Sequence, residues 1–159
     1  MLSSIIEHVS WTDDEDIQEM WSGLLTSSCT KDGKDDSNLI FINTLSQLTN
    51  LQVKILNFAC NNAKKYASIA GWIGAEELTL TIEKLQEVSQ IEDFHRLDRE
   101  LDHLRALDLL DDGGFDPNST DAIITPTPLA LHLFVRCQGS FEDPIKYFGD
   151  EIIVEKPLT

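Results

Sequence analysis

Between residues 78 and 137 the apolar positions change period in an informative order. Leu78-Thr79-Leu80 is a short extended piece, and it leads into an amphipathic run from Ile82 to Val88. After a turn, Phe94, Leu97, Leu101 and Leu104 recur at three- and four-residue spacing, which places them on one face of a helix. Leu107, Leu109 and Leu110 follow, and then the turn cluster Asp111-Asp112-Gly113-Gly114. A second strand-like piece, Ala122-Ile123-Ile124-Thr125, precedes Thr127-Pro128. A capping Thr with Pro at the first helical position predicts a helix start. That helix carries Leu129, Leu131, Leu133, Phe134 and Val135 and is expected to stop at Gly139. Strand, helix, turn, longer helix, hairpin, helix is the order of a winged helix-turn-helix with a small β-hairpin wing.

The chain before this segment reads as helical. Ser3 or Ser4 can cap a short first helix on Ile5, Ile6 and Val9. Thr12 caps a longer one whose first turn, Asp13-Asp14-Glu15-Asp16, is acidic where the helix dipole favours it, with Glu15 completing a capping box. Ile17, Met20, Trp21, Leu24 and Leu25 follow at helical spacing. Residues 30–38 form a polar loop whose spacing lacks the Gly and closing Glu of a calcium loop. Leu39, Ile40, Ile42, Leu45 and Leu48 mark the next helix, with Ser37 as its cap. Thr49 caps another on Val53, Leu56, Phe58 and Cys60, closed by Asn61-Asn62. Residues 63–75 are small, contain Gly and carry Lys64-Lys65-Tyr66; they predict a loop or frayed helix rather than a strand. Ile152-Ile153-Val154 predicts an edge strand, stopped by Pro157. The expected fold is mainly α: an N-terminal helical segment (1–48), a winged-helix-like domain (49–139) and a tail (140–159) that packs on the domain or on a partner.

Charge changes the functional picture. The formal net charge is −16, with the net negative charge concentrated in residues 1–48 and 107–159 because most bases lie between them, and with no Lys or Arg among the first 30 residues. Such a balance repels phosphate backbones unless a local basic patch exists. The three cysteines, Cys29, Cys60 and Cys137, are widely spaced and include no C-x-x-C, which points to free thiols rather than a disulfide framework or a zinc site. No secretory leader and no membrane span of about 20 apolar residues is predicted, so the expected compartment is the cytoplasm.

The recognition helix of the predicted unit spans residues 92–106. Its outward face holds Arg96, Arg99 and His103, the candidate interaction face. Glu92 stands four residues before Arg96 and Asp102 three after Arg99, which predicts intrahelical ion pairs on a solvated face rather than contacts to bases. His95, Asp98, Asp102 and His103 do not fall at a metal-ligand spacing, and Asp111, Asp112 and Asp116 suit a hairpin turn better than a cation. His8 and His132 are isolated, and Ser27, Ser28 and Ser46 lack a nucleophile elbow. No catalytic residue, metal or other cofactor is expected. Trp11, Trp21, Phe41, Phe141 and Phe148, with Ile40 and Ile152 to Val154, exceed what one winged domain should bury, and they suggest a self-association surface. A tail folded back over the helices would cover the same residues within one chain.

Several of these positions together resemble the abortive-infection alpha family of bacterial proteins. The resemblance rests on Trp21, Leu24 and Leu25; on Phe41, Leu45 and Leu48; on Lys54, Ile55 and Leu56; on Leu101, Leu104, Leu107, Leu109 and Leu110; and on Thr127, Pro128, Phe134 and Cys137. Leu129, Ala130, Leu133 and Asp108 depart from the usual Phe, Gly, Phe and Gly. It spans about residues 11–137 and is carried by apolar positions. It implies a role in phage resistance by abortive infection and implies no reaction. The resulting expectation is a non-enzymatic interaction module whose partner is a protein, this chain itself included, with no role for duplex DNA or a membrane. The alternatives are a winged-helix transcriptional regulator using Arg96, Arg99 and His103 with Lys84, and an acidic immunity or inhibitor protein that covers a basic effector.

Overall fold

A computed structural model describes residues 15–29 and 36–154. The predicted helix on Ile5, Ile6 and Val9, the Thr12 cap, His8, Trp11, most of the 30–38 loop and Pro157 lie outside the described residues. Helix α1 (Glu15–Ser28) begins with Glu15 and Asp16 at its N-terminus and buries Met20, Trp21 and Leu24 along one stripe. Helix α2 (Leu39–Leu45) is short and turns Phe41, Ile42 and Leu45 inward. Its N-cap is Asn38, not Ser37, and the Asn38 side chain makes no cap bond. That amide is engaged elsewhere: it donates to Ser27 Oγ at 2.8 Å and Ser28 Oγ at 2.9 Å, and its oxygen accepts from Arg136 at 3.0 Å. Helix α3 (Asn50–Asn62) opens on the capping box formed by Thr49 and Gln52 and runs to the Asn pair, as the sequence predicts.

Residues 63–75 depart from the sequence expectation. They form strands β1 (Lys65–Ala67) and β2 (Ile73–Ala75), paired antiparallel. The pattern was masked because a lysine occupies an inward position: Lys65 is 2% exposed. Its ammonium lies 3.6 Å from a Glu151 carboxylate oxygen and 4.4 Å from the centre of the Phe148 ring. The other support for β1 comes from far along the chain. Helix α7 (Pro144–Phe148) and a turn of 3₁₀ helix lead to β5 (Ile152–Val154), which pairs parallel with β1, giving the sheet order β2-β1-β5. Phe148 also stacks on Phe134, centres 6.2 Å apart.

Strand β3 (Thr79–Thr81) leads directly into helix α4 (Ile82–Ser89), capped by the Thr81 hydroxyl. The left-handed Gln90 closes α4, and Asp93 opens helix α5 (Phe94–Ala106) by accepting from the His95 and Arg96 amides. Leu97, Leu101 and Leu104 are fully buried, whereas Phe94, placed on the same ladder, is 49% exposed. Its position in the first turn carries it past the edge of the core. After α5 the chain bridges Leu110 to Pro126 and Phe115 to Ala122, and β4 (Asp121–Ile123) pairs antiparallel with β3. Helix α6 (Pro128–Cys137) starts on the Thr127 hydroxyl, which accepts from the Ala130 amide, and ends one residue before Gln138, short of Gly139.

One hydrophobic cluster joins α1, α2, α3, α5 and α6. Trp21 and Phe41 belong to it at 2% and 8% exposure, so neither lies on a self-association surface. Both fill the inner stripe of an amphipathic helix, where large rings bury most area. Phe148 is half-buried against the same cluster, because the tail folds back within the chain. Of the described aromatic residues proposed for the surface, Phe141 remains exposed, with Arg136 5.8 Å from its ring centre.

Candidate interaction face

Helix α5 is held by its leucines, and its other side chains divide into two sets. The first faces α3. Arg96 Nε lies 3.5 Å from Glu100 Oε1, and the Thr49 hydroxyl donates to Glu100 Oε2 at 3.0 Å. The Gln52 amide donates to the Glu100 carbonyl at 3.2 Å and meets His103 Nδ1 at 2.7 Å. His103 is thus half-buried and tied to α3 instead of facing outward, and Gln52 itself is fully buried. The predicted partners also differ: Arg96 pairs with Glu100, not Glu92, and Asp102 pairs with Arg105, not Arg99. Each arginine takes the carboxylate that its rotamer reaches along the helix surface. Of the three residues expected to point outward together, Arg96 and Arg99 are exposed and His103 is not.

The second set is a stripe that the sequence reading did not single out: Phe94, Asp98, Asp102 and Arg105, spaced four, four and three apart. It faces the 111–121 hairpin. At its inner end the Arg105 guanidinium is ion-paired with Asp102 and packs under Gly114. Gly114 has φ +87° and no side chain, and a Cβ there would collide with the guanidinium. At the outer end Phe94, His95 and Asp98 of α5 face Phe115, Asp116 and Pro117 across a cleft of about 350–400 Å³ (370 Å³). The Phe94 and His95 rings are 4.3 Å apart, and Asp116 accepts from the Asn118 amide at 2.8 Å, which fixes the hairpin turn.

Elsewhere the titratable groups are set by burial. Burial pushes the Cys60 thiol up to about 12, with Lys65 opposing, and raises Cys137 well above the ordinary range, with Cys60 adding. Partial burial, then Asp108 and Asp112, raise Asp111. Burial lowers His132, opposed by Asp143 and aided by Arg136. Among the described residues no three His, Cys, Asp or Glu side chains converge as a metal-binding group would. A second exposed feature is the tip of the β1–β2 hairpin. There the Ser68 hydroxyl accepts from the Trp72 amide at 3.1 Å, and Ile69 and Trp72 stand 67% and 75% exposed.

The family model for abortive infection alpha matches residues 1–131. The chain belongs to the abortive infection alpha family. No curated protein and no solved structure matches it. The matched segment includes Trp21, Leu24, Phe41, Leu45, Leu48, Ile55, Leu56, Leu101, Leu104, Leu109 and Leu110, all of them buried. The match ends before Phe134 and Cys137, which the resemblance had included. The residues of the cleft, Phe94 through Pro117, also fall inside the match. Among the described residues of this family member no helix is long and apolar enough to cross a membrane.

Proposed function

We propose that this chain is a non-enzymatic protein-interaction module of bacterial abortive-infection defence, acting in the cytoplasm. We read residues 79–137 as a winged-helix-like unit, on the succession β3, α4, α5, hairpin and α6 and on the pairing of β3 with β4. The observation that carries the interaction reading is the character of the α5–hairpin side. Where a DNA-reading unit needs several free cations, this one presents Asp98 and Asp116 beside Phe94 and Phe115; of the three arginines of α5, Arg96 and Arg105 are paired with Glu100 and Asp102, which among the described residues leaves Arg99 as the one exposed, unpaired arginine of the helix. Carboxylates at that place repel a phosphate backbone and suit a protein surface. The exposed Ile69 and Trp72 add a second contact of the kind that protein interfaces use.

Two measurements test the reading. In a fluorescence-anisotropy titration with random-sequence duplex at physiological salt, no binding is expected in the range of ordinary non-specific association, about 1–100 μM. Salt-sensitive micromolar binding that disappears in Arg96→Glu and Arg99→Glu would transfer the protein to the regulator reading. In a phage challenge, cells carrying the gene should lose protection when Trp72→Ala or Phe94→Ala is introduced, at unchanged protein level. Full protection in both variants would remove these two surfaces from the mechanism.

A further inference from the structure

The groove between α5 and the hairpin is occupied at one end and open at the other. Its inner end holds an arginine of this chain: the Arg105 guanidinium lies between the Asp102 carboxylate and the backbone at Gly114. One helical turn away, Asp98 repeats the position of Asp102 on the same stripe. Among the described residues the Asp98 side chain has no hydrogen-bond or ion-pair partner. There the groove widens into the 370 Å³ cleft, with Phe94 on the helix side and Phe115 and Pro117 on the hairpin side. Asp116 contributes a second carboxylate at the rim, one of whose oxygens is taken by the Asn118 amide.

We infer that this open end is a docking pocket for an arginine side chain presented by a basic segment of a partner protein. A guanidinium is planar, stacks on aromatic faces and bonds carboxylates through its fork of N–H groups. The cleft supplies an aromatic ring on each side and carboxylates at its rim. Charge selects the partner further. The chain carries −16, so a second copy approaching through the same acidic face is repelled, whereas a basic segment is drawn in. The half-exposed Phe94 ring is then the apolar surface that the partner covers.

This assignment rests on the protein-interaction reading and deepens it. The test uses the full-length chain, labelled with ¹⁵N, titrated with a blocked Gly-Leu-Arg-Leu-Gly peptide and with its Lys counterpart. Shift changes are expected to concentrate at residues 94–98 and 114–119. Asp98→Asn and Phe94→Ala should each weaken the arginine peptide about tenfold, and the Lys peptide should bind several-fold more weakly than the Arg peptide. Asp150→Asn, which removes an exposed carboxylate outside the cleft, should leave binding unchanged. Both cleft variants alter exposed or half-exposed side chains, and unchanged circular dichroism and melting confirm that they fold. Shifts spread evenly over the acidic surface, or an affinity unaffected by Asp98→Asn, would overturn the pocket. So would a concentration-dependent dimer dissociated by Phe94→Ala, which would give the cleft to a second copy. Failure of the underlying reading has a different signature: duplex binding lost in Arg96→Glu and Arg99→Glu, neither of which lines the cleft.

Discussion

Replacing Gly23 with Ala tests how α1 is attached to the rest of the protein, because two physical effects of opposite sign compete there. On a solvated helix, Gly→Ala removes backbone entropy from the unfolded chain and raises stability by about 1 kcal/mol. Gly23 is instead the closest crossing point of α1 and α6. A Cβ built on it overlaps the carbonyl oxygen and carbon of Cys137 and stands 3.0 Å from the Cys137 Cα. These are backbone atoms in a helix, so no rotamer change relieves the overlap, and the helices must move apart. A gap of about 0.5–1 Å forfeits a quarter to a half of each dispersion contact across the interface. It would also stretch the bond from the Ser27 hydroxyl to the Arg136 carbonyl, now 2.9 Å, and loosen the Asn38–Arg136 bond beside it. Overpacking of this kind costs roughly 1–3 kcal/mol and more where backbone is involved. Because the overlap is with backbone, the cost falls at the upper end of that range, and after the helix-propensity gain of about 1 kcal/mol a net loss of about 2 kcal/mol is expected. For a chain of this length that is a fall in Tm of roughly 4–8 °C. Urea and thermal unfolding of Gly23→Ala against the wild type measure it. A rise in Tm would mean that α1 is not docked on α6, and the packing of Trp21 and Leu24 would have to be abandoned with it.

The other predictions concern the core, the thiols and the tail. Leu101→Ala and Leu104→Ala each empty a fully buried position and should cost roughly 2–5 kcal/mol in denaturant melts; an unchanged midpoint would place α5 on the surface. Of the three cysteines, only the exposed Cys29 should react with a thiol reagent in the native protein at pH 8, and all three after unfolding, as counted by mass spectrometry. Because burial raises Cys60 in the folded state, the unfolded chain releases that proton first. The Cys60 contribution should be flat below the ordinary thiol value of 9.0 and fall as pH rises from there toward about 12; Cys60→Ala should lessen the alkaline decline and leave the share that buried Cys137 contributes. Lys65→Ala removes the ammonium packed between Phe148 and Glu151, and it should expose residues 140–154 to limited proteolysis while α3 and α6 stay protected.

What could be read from the sequence was what depends on local periodicity and capping. The Thr49 and Thr127 caps, the leucines of α5 and the strand-like pieces flanking α4 and the hairpin were legible because each is decided within a few residues. Strands β1 and β2 were not, since Lys65 faces inward and its burial is balanced by Phe148 and Glu151, more than 80 residues later in the chain. The same holds for His103. The wheel places it away from the leucines with Arg96 and Arg99, but it is half-buried on their flank with Gln52 of another helix as its partner, and periodicity within α5 holds no information about that contact. The aromatic surplus was misassigned for a related reason. Counting Trp21, Phe41 and Phe148 against one winged unit ignored the additional core that α1, α2 and the returning tail create with α6. The cleft was missed because its signal is a pairing of two separate segments: the Phe94–Asp98 spacing and the Phe115-Asp116-Pro117 turn. Only the Asp98 and Asp102 repeat at a four-residue interval could have marked it in the sequence.

The division between what the family match records and what the groove presents bears on how the protein works. The matched apolar positions fix the core, and a core specifies a scaffold rather than a partner. The α5–hairpin groove sits on that scaffold between rigid supports: Leu97, Leu101 and Leu104 beneath the helix, and Arg105 beneath the hairpin at Gly114. Arg105 therefore sets the spacing of the two walls, since its guanidinium is the filler between α5 and the turn. The proposed arginine pocket at the open end depends on the same two walls. An acidic chain built this way can discriminate among basic partners by geometry, because charge alone attracts any of them. Removing Arg105 would leave every carboxylate in place, free Asp102 of its cation and take away the filler between the walls. If recognition depended on charge alone, Arg105→Ala would strengthen binding of a basic peptide by removing a cation; a groove held open by that side chain should instead bind it more weakly.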